Sequence, residues 1–172
     1  QINAFSKQQI SEFFQKIEEG EPYKNLFIVA LFTGMRKGEI IGLPWDAIDF
    51  KNGTITVKQQ VQGFNVNHLY IESPKNGKER TLFPPPIVME TLKAVRREQL
   101  ENQLKAGAAW KNNWNLVFTN KLGRVLSAKN VYDRFKKVVE SMGLAEMRFH
   151  DLRHTYAVMA LQAGNDPKTV QN

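Results

Sequence analysis

The chain has 172 residues and no cysteine. A disulfide scaffold, thiolate zinc sites and thiol catalysis are therefore excluded. Histidine is scarce, with three copies, and no stretch gathers the carboxylates that would hold a divalent cation. Long apolar runs are missing as well. The longest is Leu26-Phe27-Ile28-Val29-Ala30-Leu31-Phe32, far short of the roughly 20 residues a membrane-spanning helix needs. No secretory leader pattern, internal repeat or low-complexity run is visible. Acidic residues are in deficit: 17 Asp and Glu face 24 Lys and Arg, giving a formal net charge of +7 and a pI of about 9.6. That balance favours nucleic acid or another polyanion as partner, against the plainer reading of a basic but unspecialised surface.

What is present reads as one domain, residues 1–172, with a sizeable core. The chain opens on Gln1 and stops a turn into a helix that begins at Asn165-Asp166-Pro167. A fragment truncated at its C-terminus is therefore expected. Ser6-x-x-Gln9 is a capping-box pattern ahead of an apolar stripe of Ile10, Phe13, Phe14 and Ile17. Leu26–Phe32 is apolar nearly all round, which predicts a buried helix ending at Gly34. Between Asn52 and Phe83 the period changes to two. Thr54–Val57, Val66–Glu72 and Arg80–Phe83, separated by Gly-containing turns, predict a three-stranded antiparallel sheet closed by Pro84-Pro85-Pro86. Ile87 to Lys105 is a long helix with Val88, Thr91, Leu92, Val95 and Leu100 inward. Ser127 precedes a helix to Ser141 with Val131, Phe135, Val138 and Val139 inward and Lys129, Arg134, Lys136 and Lys137 on the other side. The expected class is α+β, mainly α, with a small antiparallel three-stranded β-sheet.

Two short segments carry the chemistry. In Arg148-Phe149-His150-Asp151-Leu152-Arg153-His154-Thr155, a histidine and an arginine lie three residues apart at the start of a helical pattern. Leu152, Tyr156, Met159, Ala160 and Ala163 mark its apolar face. His150, Arg153, His154 and Ala157 fall on another, so His150 and Arg153 can act on one point. The guanidinium fork suits a phosphate or carboxylate. The second segment is Thr33-Gly34-Met35-Arg36-Lys37-Gly38-Glu39. Taken alone, Arg36 reads most simply as a surface arginine paired with Glu39 at i, i+3. The basic turn around Lys75, Lys78 and Arg80 reads most simply as solvated charge.

Together, and in this order, His-Asp-Leu-Arg-His-Thr and Thr-Gly-Met-Arg-Lys-Gly-Glu resemble the two conserved boxes of the tyrosine recombinases, the phage and transposon integrase family. The resemblance covers the chain from about residue 5 to its end. It implies that Arg36, Lys75, His150 and Arg153 are catalytic, with Lys78 the competing lysine, and that Glu39 and His154 support them. Lys37, Lys78, Arg80, Lys129 and Arg134 are the expected DNA contacts. No metal and no cofactor are implied. The implied reaction is site-specific recombination through a 3′-phosphotyrosine link. The family's nucleophilic tyrosine lies beyond the second box, so the fragment alone is expected to cleave nothing. Tyr156 is expected in the core, and Tyr23, Tyr70 and Tyr132 match no catalytic motif. The family's N-terminal core-DNA-binding domain is expected to be absent here. Full-length members act as homotetramers on double-stranded DNA attachment sites. The fragment is expected to be monomeric, cytoplasmic, bacterial or phage-encoded, and unattached to membrane.

Two other readings compete. His150-Asp151-Leu152-Arg153-His154 resembles His-Glu-x-x-His, the zinc hydrolase pattern with two ligands one turn apart. Asp in place of Glu, Arg153 beside the metal and a missing third ligand weigh against it. The other is a non-catalytic basic DNA-binding module. It predicts DNA affinity with a steep salt dependence and no strand cleavage.

Overall fold

The computed structural model describes residues 3–17, 21, 23–63, 68–74 and 77–163. Its contacts separate two compact units, Gln1–Lys37 with Lys129–Asn172, and Gly38–Ala128.

The first unit holds α1 (Lys7–Gln15), α2 (Lys24–Thr33), α5 (Ala128–Ser141) and α6 (His150–Gln162). Ser6 and Gln9 form the expected reciprocal cap of α1: the Gln9 amide donates to Ser6 Oγ at 3.1 Å and the Ser6 amide to Gln9 Oε1 at 2.9 Å. The apolar α2 is buried on most sides and packs against α6. A ring cluster fills the centre, with Phe13, Phe27, Phe135 and Phe149 in tilted and edge-to-face contacts at 5.5–6.1 Å, geometries that aromatic quadrupoles favour. α6 is tied to the N-terminal segment through Thr155, which accepts from the Phe5 amide at 2.9 Å and donates to the Asp151 carbonyl at 2.8 Å.

Gly34 ends α2 in the left-handed conformation, φ +68°. It also gives space: a Cβ there would lie 2.6 Å from Cδ2 of Tyr156. The half-buried Tyr156 ring thus covers the end of α2. The buried side of α6 comprises Asp151, Leu152, Thr155 and Ala160, whereas Met159 is half-buried and Ala163 exposed. The expected apolar stripe was therefore too regular. Two polar side chains with internal partners share the interior with Leu152.

The second unit holds α3 (Lys37–Ile41), which opens in the last residue of the first segment, β1 (Ile48–Asp49), β2 (Thr54–Val57), β3 (Gln60–Gly63), β4 (Leu69–Glu72), β5 (Arg80–Leu82) and α4 (Pro86–Ala106). The single three-stranded sheet predicted from period-two patterning becomes two. One is three-stranded in the order β1-β2-β5, with Ile55 opposite Ile48 and Leu82. The other is a two-stranded pair, β3-β4, with Gln60 opposite Glu72. β3 was missed because Gln-Val-Gln-Gly carries little strand propensity of its own. Its pairing with β4 supplies the order, and Gln60 donates across it to Glu72 at 3.0 Å. Gly42 lets β3 approach: a Cβ there would be 2.7 Å from the Val61 nitrogen. On α4, Val88, Thr91, Leu92 and Val95 are buried as expected, but Leu100 is exposed. Trp110 lies against Gly123. Among the described residues no helix is long and apolar enough to cross a membrane.

Candidate active site

Three sequence-distant stretches of the first unit meet at one concavity of about 320 Å³. Met35, Arg36 and Lys37 follow α2, Tyr132 comes from α5, and Arg148, Phe149, His150 and Arg153 open α6. The left-handed turn at Gly34 sends the chain away from α2 directly before Arg36. The first turn of α6 then sets His150 and Arg153 on one side, as the i, i+3 spacing required. The lining contains three guanidinium groups, one ammonium and one imidazole, and no carboxylate. The positive end of the α6 dipole adds to this field. Such a pocket is built to receive an oxyanion.

Lys37 stands with Nζ 5.4 Å from the centre of the Tyr132 ring, within cation–π range. Partial burial lowers the pKa of its ammonium from the usual 10.5. His150 and His154 meet edge to face with ring centres 4.8 Å apart. The pKa of His150 is lowered from 6.5, first by desolvation and then by the charges of His154, Arg153 and Arg148, with Asp151 pulling the other way. The shift favours the neutral imidazole, a form that can accept a proton.

Behind the lining sits a group that the sequence reading did not single out. Asp151 is 0% exposed. Its Oδ2 accepts the Arg148 amide at 2.8 Å, and its Oδ1 faces His154 Nδ1 at 3.1 Å and the Arg148 guanidinium at 3.4 Å. Burial pushes this carboxyl up, but the Arg148 amide, the Arg148 guanidinium and His154 outweigh it, so its pKa lies below the usual 3.8. The available signal was an Asp in the first helical turn, three residues before a His. Tyr132 and Arg148 were likewise not selected, because only the fold brings Tyr132 of α5 and the approach to α6 to one pocket.

The remaining candidates are placed elsewhere. Both oxygens of Glu39 accept from Arg80, Nη1 to Oε2 and Nη2 to Oε1, each at 2.8 Å. Glu39 thus anchors α3 to β5. Arg80, expected at DNA, commits its fork to that pair. Arg134, also expected at DNA, forms a two-pronged pair with Glu21 at 3.0 and 2.8 Å. In both cases a nearby carboxylate, invisible to a local reading of charge, takes the guanidinium. Lys129 is exposed and pairs with Asp133 one turn on, an arrangement worth little in solvent. Lys78 is exposed. Lys75 lies outside the described residues, as do Gly164 and the expected final helix. Among the described residues no three His, Asp or Glu side chains gather as metal ligands. His154 turns Nδ1 to Asp151.

Comparison with known proteins covers nearly the whole chain. The phage integrase family matches residues 3–172. A tyrosine recombinase XerC-like protein of Caldanaerobacter subterraneus is 33% identical over 99% of this chain and 46% of its own length. A tyrosine recombinase XerC of Lactobacillus delbrueckii is 30% identical over 97% of this chain and 52% of its own. The chain thus spans about half the length of the curated relatives it matches. Among solved structures, the Tn1549 transposon integrase in complex with transposon right end DNA superposes with a TM-score of 0.82. The identity is 21%, over 98% of this chain and 56% of that one. The XerH recombinase bound to its difH substrate gives a TM-score of 0.69 at 23% identity, over 99% of this chain and 46% of that one. With two motif boxes, a mainly helical fold and relatives along its whole length, this chain belongs to the phage integrase family of tyrosine recombinases.

Proposed function

We propose that the chain is the catalytic portion of a site-specific DNA recombinase of an integrating or excising mobile element. The observation that carries the reading is the carboxylate-free pocket joining Arg36, His150 and Arg153. A phosphodiester under attack gains charge on its non-bridging oxygens in the five-coordinate transition state. Arg36 and Arg153 are donors placed for those oxygens before the reaction begins, so they favour the transition state over the ground state. Neutral His150 takes the proton of the attacking hydroxyl. Lys75, or Lys78 in its place, protonates the departing 5′ oxygen. The attacking group is a tyrosine, which forms a 3′-phosphotyrosine link as the 5′-hydroxyl leaves. Rejoining reverses these steps with a different 5′-hydroxyl.

Within this reading the nucleophile is none of Tyr23, Tyr70, Tyr132 and Tyr156. Tyr156 is packed on Gly34, and the Tyr132 ring is occupied by Lys37. DNA is approached through Lys37, Lys78 and Lys129, with Glu39 and His154 in support. Arg80 and Arg134 reach phosphate only by leaving their carboxylate partners. The whole protein acts on double-stranded attachment sites as a homotetramer in the cytoplasm of a bacterial host, and the isolated chain is a monomer.

The test uses the full-length protein carrying this sequence, a nicked attachment-site DNA and EDTA. A denaturant-resistant protein–DNA adduct is expected. It should survive Tyr132→Phe and Tyr156→Phe and disappear with Arg153→Ala. Tight DNA binding without any adduct would leave only the binding module. Activity dependent on added zinc would turn the reading towards a hydrolase.

A further inference from the structure

The pocket accounts for its cations but not for the buried anion behind them. Asp151 is completely inaccessible, and burying a carboxylate is costly unless its oxygens are well satisfied. Its two oxygens do different things. Oδ2 accepts the Arg148 amide at 2.8 Å, a local bond that steadies the start of α6. Oδ1 looks towards side chains: His154 Nδ1 at 3.1 Å and the Arg148 guanidinium at 3.4 Å. A carboxylate can only accept, so a neutral His154 facing it must carry its proton on Nδ1. The His154 ring in turn meets His150 edge to face, with centres 4.8 Å apart and planes at 80°. One helical turn thus links a buried carboxylate, an imidazole and the pocket imidazole in series.

We infer that Asp151 is the positioning residue of this pocket, its carboxylate fixing the tautomer and ring plane of His154 and, through that ring, the orientation of His150. Asp151 is fully enclosed and is not part of the pocket lining. It acts through His154 and, on the other side, through Arg148, which lines the pocket. The inference rests on the reading of the pocket as the reacting site. Among the described residues, the charged groups that line the pocket with His150 are Arg148 and Arg153 on α6 and its approach, and Arg36 and Lys37 across from them. At His150, desolvation and then the charges of His154, Arg153 and Arg148 lower the imidazole's pKa, and Asp151 opposes them.

The experiment is ¹⁵N–¹H NMR of the imidazoles in this 172-residue chain, where three histidines keep the spectrum simple. Wild-type His154 is expected as the Nδ1–H tautomer. In Asp151→Asn, whose side chain can donate as well as accept, His154 should become a mixture of tautomers and the His150 titration midpoint should fall. Asp151→Glu should restore both in part. An Nε2–H tautomer at His154 in the wild-type chain would overturn the inference without any variant. So would a folded Asp151→Asn chain with both histidine spectra unchanged. Neither readout needs DNA. A wild-type chain with the expected tautomer but no DNA affinity would count against the proposed function and not against the positioning.

Discussion

At the scale of single residues, the two arginines and His150 make separable predictions. Arg36 is exposed and Arg153 half-buried, yet both face the same pocket. Replacing either by Ala in the full-length recombinase should lower the rate of adduct formation by about 10²–10³, the effect of removing one preorganised transition-state donor. Single-turnover kinetics on nicked DNA would measure it, and an unchanged rate would remove that arginine from the mechanism. His150 predicts a pH effect on stability. Its folded pKa is below 6.5, so the folded chain binds fewer protons than the unfolded chain near that pH. The associated stability is present above pH 6.5 and is lost as the pH falls through the folded value. Thermal melts between pH 7.5 and 5 should therefore show a larger loss for the wild type than for His150→Gln. Inorganic phosphate should reduce the difference, because a bound anion favours the imidazolium. Asp151 behaves alike in a more acid window: its pKa is below 3.8, so its contribution persists above that pH and disappears only in stronger acid.

At the scale of elements, one joint in each unit makes a testable prediction. Gly34 combines a positive φ with the Tyr156 ring 2.6 Å from any added Cβ. Gly34→Ala should destabilise the chain by about 2–3 kcal/mol, from left-handed strain together with overpacking. Tyr156→Ala should cost less in the Gly34→Ala background than in the wild type, because it relieves the clash although not the strain. Urea denaturation of the single and double variants would show that coupling, and simple additivity would refute the contact. The second joint is the Glu39–Arg80 pair, with side chains 9% and 20% exposed. Glu39→Gln leaves a largely buried guanidinium with a weaker acceptor, and Arg80 Nε already has no hydrogen-bond partner among the described residues. A loss of about 3 kcal/mol is expected from breaking such a pair. Replacing both residues with apolar ones of similar volume should cost much less, a contrast that equilibrium unfolding can measure.

At the scale of the whole molecule, the excess of 24 basic over 17 acidic residues predicts DNA binding through counterion release. Log affinity should fall linearly with log salt, and Lys37→Ala should reduce the magnitude of the slope by about one if that ammonium meets a phosphate. Arg134→Ala should alter the slope less, because its charge is already balanced by Glu21 at 2.8 Å. Fluorescence anisotropy across a salt series would distinguish them. Equal slopes for all three proteins would detach Lys37 from the DNA face.

Features that depend on neighbours along the chain were legible in the residues alone. The Ser6–Gln9 cap, the apolar α2, its stop at Gly34 and the His150–Arg153 face follow from spacings of three and four residues, which a helix converts directly into proximity. The two boxes, read together, also identified the family. Only tertiary structure decided what depends on distant partners. Strand pairing split one expected sheet into two, because β2 bonds to β1 and β5 whereas β4 bonds to the polar β3. Arg80 and Arg134 looked like free surface charge until Glu39 and Glu21, 41 and 113 residues away, took their forks. Tyr132 of α5 became a pocket residue only when the fold brought it to the lining that His150 and Arg153 share. Asp151 lay in plain view between two residues of the motif, but its value comes from burial. A carboxylate in water is ordinary. The same carboxylate enclosed by Arg148 and His154 must be held by them and must hold them in return.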